Sequence, residues 1–146
     1  MDEPKSVIPE VGNLIRSYEL TSPTMGIADL LNLQDSLSVS LYRLAEEAAE
    51  AKKGHNWSYF NRKVEINRSM QSMIMNQQMT VSKADIMAKA ENKDKMKAEV
   101  QAEATAYKLD LLLKQGNRIL SAIQQRISFR KQEFDMNRFK DEQDAP

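Results

Sequence analysis

The chain has 146 residues, 41% hydrophobic and 29% charged, a balance that suits one folded domain rather than a disordered segment. It contains no cysteine, which excludes disulfides, zinc ribbons and thiol catalysis, and no apolar run approaches the roughly 18 residues that cross a membrane. The formal net charge of zero hides an uneven distribution: residues 1–51 carry three basic and nine acidic side chains, residues 52–140 carry 18 and nine, and the last six residues add three acids. A basic body between acidic ends points to an anionic partner, nucleic acid foremost, or to solvated helix faces that favour Lys and Arg.

Four glycines, four prolines and 6% aromatics are too few for a sheet protein, whose turns recur every 8–12 residues. Beyond Ala28 the only breakers are Gly54, Gly116 and Pro146, so an all-α fold is expected. Met1-Asp2-Glu3-Pro4 opens on acids with no apolar segment behind it, so no signal peptide is expected and the cytoplasm is the expected address.

Residues 1–26 hold Pro4, Pro9, Gly12, Pro23 and Gly26, a density of breakers that argues against a long helix. They read as an arm that is mobile or docks onto a partner, followed by a helical domain over 27–138 and an acidic tail over 139–146. The first strong helix starts near Ile27 or Ser36. Its stripe Leu37, Leu41, Leu44, Ala48, Ala51 has the 4-3 spacing of one helix face. Gly54-His55-Asn56 either breaks that helix or is a weak point within it, because the periodicity resumes in Val64, Ile66, Met70, Met73 and Ile74. Met70, Met73, Met75 and Met79 crowd one stretch, where core filling is the commoner use. Residues 80–86 look like a helix start, with Ser82 as cap, Asp85 answering at N3 and Val81 stapled to Ile86. The short helix over about 83–91 either joins the last helix or turns at Asn92.

The last helix carries the clearest pattern. Ala102, Ala106, Leu109, Leu113, Gly116, Leu120, Ile123, Ile127, Arg130 and Phe134 form one unbroken 4-3 series, the signature of a stripe packed on another helix. Leu111, Leu112 and Ile119 widen it, so more than one partner helix is expected. Long thin hairpins bury little core alone, and the expected remedy is homo-oligomerisation through Leu109, Leu113, Gly116, Leu120, Ile123 and Ile127. A long helical hairpin or coiled-coil-like bundle completed by self-association is the expected architecture.

No catalytic or metal site is legible, and no cofactor is implied. His55 is the only histidine and has no positioned partner in the pattern, while Glu46, Glu47 and Glu50 read as a solvated face. Nor is there a Gly-rich phosphate loop or a nucleophile turn. The segment 52–63 stands apart, because Trp57, Tyr59 and Phe60 interleave with Lys52, Lys53, Arg62 and Lys63, and Arg68 extends the set. Single-stranded nucleic acid is held by such mixtures, cations tracking the phosphates and rings stacking the bases. The competing reading makes Trp57 and Phe60 anchors of a helix junction. Lys114 and Arg118 begin a second basic set on the last helix, continued by Arg126, Arg130, Lys131, Arg138 and Lys140.

The order of an amphipathic helix, a basic middle, a Ser-initiated short helix over 82–90 and a closing helix with Leu109-Asp110-Leu111-Leu112, then Ile119 to Arg126 and Arg130-Lys131, resembles the phage recombination mediators of the UvsY type. The resemblance spans residues 36–138. It implies an oligomeric, non-catalytic accessory protein that binds single-stranded DNA and assists loading of a recombinase onto strands coated by a single-strand-binding protein. Residues 69–75 lack the cations that the family carries there, so any DNA contact falls to residues 52–68 and the last helix. The alternative is a helical protein-protein adaptor, virion component or inhibitor, whose stripe receives a partner's helix and which binds no nucleic acid.

Overall fold

The computed structural model describes residues 5–143, with side chains through Lys140. Among these residues the chain is four helices and no strand: α1 (Ile8–Thr21), α2 (Ile27–Gln77), α3 (Val81–Glu91) and α4 (Lys93–Gln143). The all-α expectation therefore holds. Residues 1–4 of the expected arm and 144–146 of the expected acidic tail lie outside the described residues, and α4 continues through Gln143. No helix among the described residues is long and apolar enough to cross a membrane.

Two compact units form. The first joins Met1–Glu47 to Leu111–Pro146, and the second is Ala48–Asp110.

In the first unit, residues 8–21 are a 14-residue helix despite the density of breakers in that stretch. Pro9 sits in the first turn, where its fixed φ suits a helix and its missing N–H has no intrahelical acceptor to lose. Gly12 lies in the interior with no heavy atom within 4 Å of where a Cβ would stand. The cap comes from another helix. Val7 offers no capping side chain, and the Glu47 carboxylate accepts from the Val7 N–H at 2.6 Å and from Ser6 Oγ at 2.9 Å. Glu10 accepts from Ser40 Oγ at 2.6 Å and from Arg43 Nη1 at 3.3 Å. Val7, Val11 and Ile15, four apart, are buried along one side of α1. Breaker counting missed this because local composition carries no record of a cap supplied 40 residues away.

Leu30, Leu33, Leu37, Leu41 and Leu44 of α2 are buried in the same unit, as are Ile123 and Ile127 of α4. Each such side chain contributes about 1.5–3 kcal/mol by leaving water. Gly116 faces Leu41: an added Cβ would press into Leu41 Cδ2 and stand 3.3 Å from its Cγ. The stripe expected to join copies of the chain is thus covered in large part within one copy. Gly116, Ile123 and Ile127 are buried in the first unit, Leu109 is buried in the second, and Leu113 and Leu120 are half-buried. Only Phe134, at the end of the series, stands exposed.

In the second unit α2 runs unbroken through Gly54, which settles the question that the sequence leaves open there. Its inward positions, Ala51, His55, Ser58, Arg62, Ile66, Ser69 and Met73, keep a 4-3-4-4-3-4 rhythm and are half or fully buried. Ile66 and Met73 build a small core with Ala84 and Ala88 of α3, and Met70, Ile74 and Met79 pack against it. Met75 is 79% exposed, so it lies outside the methionine packing.

Helix α3 starts two residues earlier than expected. Thr80, not Ser82, is the N-cap, its hydroxyl accepting from the Lys83 N–H at 3.4 Å. Val81 and Ile86 stay exposed, so the expected staple gives no burial. The chain turns at Asn92, whose buried side chain donates to Ala88 O at 2.9 Å and to Ser69 Oγ at 3.2 Å.

Candidate nucleic-acid interface

A continuous helix turns 100° per residue, and this sorts residues 52–68 into two groups. Ala51, His55, Ser58 and Arg62 take the inner side. Lys52, Lys53, Trp57, Tyr59, Phe60 and Lys63 take the outer one and are exposed. Trp57 and Phe60, three apart, become neighbours: their ring centroids are 6.1 Å apart at an interplanar angle of 29°. They are 62% and 56% exposed, so this aromatic pair faces solvent instead of anchoring a helix junction inside the unit.

Tyr59 lies off that pair. Its ring meets the Arg62 guanidinium and the Lys63 ammonium, each 5.3 Å from the centroid, a geometry in which the ring face attracts a cation. Arg62 is in turn bound to Glu99 of α4 in a charge-assisted pair whose side chains are 23% and 15% exposed. A charged residue at an inward position demands such a partner, because a lone guanidinium removed from water is costly. Arg62, a candidate contact by sequence, is therefore engaged in joining α2 to α4. Its position in the inward series was the signal that could have shown this.

The remaining candidates differ in how free their charges are. Lys53 pairs with Glu50 at 3.7 Å and Arg68 with Glu65 at 3.2 Å. Their basic side chains are 78% and 73% exposed, and such surface pairs hold little energy and yield readily to a phosphate. Lys52 and Lys63 are exposed without an ion-pair partner among the described residues. The outer face of residues 52–63 is thus a stacked aromatic pair bordered by Lys52, Lys53 and Lys63. It can offer π-faces to bases and cations to a phosphate backbone.

Lys114 and Arg118 belong to the first unit and the set at 52–68 to the second, each exposed on its own helix. Further along α4, Arg126 turns partly inward, and its Nη1 is buried without a hydrogen-bond partner. Among the described residues no three His, Asp or Glu side chains converge as a metal site would require. No family model, curated protein or solved structure matches this chain.

Proposed function

We propose that the protein binds single-stranded DNA as an oligomer, through the outer face of α2 between Lys52 and Lys63. In this reading it is a non-catalytic accessory factor of phage DNA metabolism that assists recombinase loading. The observation that carries it is the solvent-facing Trp57–Phe60 stack set among Lys52, Lys53 and Lys63. Exposed aromatic area costs a soluble protein solubility, and a base-stacking platform is a reason to keep it. Stacking contributes about 1–3 kcal/mol per base and does not depend on sequence, whereas the lysines make binding fall with added salt. Duplex DNA, whose bases are already stacked, offers the rings nothing.

Trp57 is the only tryptophan, so its own fluorescence reports the site. Titration with an unlabelled single-stranded oligonucleotide is expected to quench it, with affinity falling as salt rises. Trp57→Ala is expected to weaken binding by roughly 5- to 150-fold, the equivalent of one stacked base. Unchanged affinity in Trp57→Ala, or no binding at low salt, overturns the reading. The adaptor reading then takes its place, supported by the exposed apolar residues Met96, Val100 and Tyr107 on α4.

A further inference from the structure

Helix α3 holds on to the second unit with very little of its own. Val81, Ile86, Met87 and Ala90 are exposed, and only Ala84 and Ala88 are buried in the core. Two methyl groups reach no distance, so the longer side chains around them make the contact. Ile66, Met70, Met73 and Ile74 come from α2, and Met79 comes from the link that leads into α3. Polar bonding does not replace that grip. Among the described residues the body of α3 makes no side-chain hydrogen bond or ion pair to α2. Lys89 pairs with Asp85 inside the helix, Thr80 caps its start, and the one bond across lies beyond its end, from Asn92 to Ser69. At 11 residues α3 is also too short to stay helical once released.

Three of the five gripping side chains are thus methionines, and they differ in exposure. Met73 is 3% exposed, whereas Met70 and Met79 are half-buried, packed on the core yet open to solvent. Met79 also fixes the link, since its N–H donates to Met73 O at 3.2 Å directly after the left-handed Gln78.

We propose that Met70 and Met79 form a reversible oxidation site that releases α3, with a peroxide as the oxidant. The thioether sulfur attacks one oxygen of hydrogen peroxide, an S–O bond forms as the O–O bond breaks, and the departing hydroxide takes up a proton. Methionine loses two electrons and becomes the sulfoxide, and the peroxide ends as two waters' worth of oxygen shared between sulfur and one water molecule. A sulfoxide is strongly polar where the thioether was not. Left in the core it lacks a donor, because the core's members are all Ile, Met and Ala. Turned out to water, it takes its side chain away from Ala84 and Ala88. Either way α3 loses its hold, and sulfoxide reductases restore it by returning the thioether. Met75 is the internal control, because it is 79% exposed and outside the core. The site is independent of the nucleic-acid reading above.

The test treats the full chain with hydrogen peroxide, maps the oxidised methionines by peptide mass spectrometry and follows amide hydrogen exchange. Oxidation of Met70 and Met79 is expected to speed exchange across residues 81–91 by about tenfold or more, while residues 37–44 of the first unit are unchanged. Reduction by a pair of methionine sulfoxide reductases is expected to restore protection. Met70→Leu/Met79→Leu keeps apolar side chains of similar volume without sulfur, and its α3 is expected to exchange as slowly after peroxide as before it. Met75→Leu is expected to loosen like the wild type. The proposal is overturned if Met70 and Met79 resist peroxide that oxidises Met75, or if α3 exchange is unchanged once both are oxidised. It is equally overturned if the double variant loosens as much as the wild type, or if α3 stays loose after both residues are reduced again.

Discussion

Gly54 and Gly116 both lie in helix interiors, yet the same substitution is expected to act on them with opposite sign. At Gly54 an added Cβ would meet no heavy atom within 4 Å. Gly54→Ala therefore gains the full difference in helix propensity, about 1 kcal/mol, because alanine surrenders less backbone freedom on folding. For a chain of this size that raises Tm by about 2–4 °C. At Gly116 the same propensity gain is available, but the new methyl would press into Leu41, a side chain only 5% exposed and hemmed in by the core. Overpacking of this kind costs about 1–3 kcal/mol, so Gly116→Ala is expected to lose about 1 kcal/mol net. Urea or thermal unfolding followed by circular dichroism measures both. The decisive control is the Leu41→Ala background, itself weaker by roughly 2–5 kcal/mol. With the obstructing side chain gone, Gly116→Ala should become stabilising there. If Gly116→Ala were at least as stable as the wild type in the native background, close approach of Leu41 would not be the reason for that glycine. If Gly54→Ala were destabilising, the helix would not run straight through position 54.

Other perturbations test the remaining joints. Glu47→Ala removes the acceptor that caps α1 from α2 and is expected to cost about 1–2 kcal/mol, seen first as faster amide exchange across residues 8–21. Arg62→Ala and Glu99→Ala should each cost about 1–3 kcal/mol by leaving a shielded charge without its partner, whereas the double substitution should cost less than their sum. An additive result would mean the pair is not coupled. Gln78 has φ 50°, a left-handed conformation that glycine adopts without strain, so Gln78→Gly is expected to stabilise by up to about 1 kcal/mol in the same unfolding assay. Since Arg62 is a joint between helices, charge reversal aimed at nucleic-acid binding belongs at Lys52, Lys53 and Lys63. Those variants should keep the wild-type Tm while losing affinity.

What the sequence determined by itself was helical class and helix faces. Scarce breakers and the 4-3 series from Ala102 to Ile127 specify which side of α4 is covered, because burying an apolar stripe is the largest favourable term and leaves a periodic imprint. The basic and aromatic composition of residues 52–63 was equally legible. Tertiary structure decided what covers each stripe, and it did so by contacts whose two halves lie far apart in the chain. Glu47 caps α1, Leu41 fills the space that Gly116 leaves, and Glu99 holds Arg62. A helix stripe looks the same whether another copy or the chain's own helix will cover it, so periodicity alone assigned residues 109–127 to an oligomer. Likewise, composition could not divide the cluster at 52–63. The helical turn from Trp57 to Phe60 brings the two rings together in solvent, and the packing of α2 on α4 gives the inward Arg62 its carboxylate.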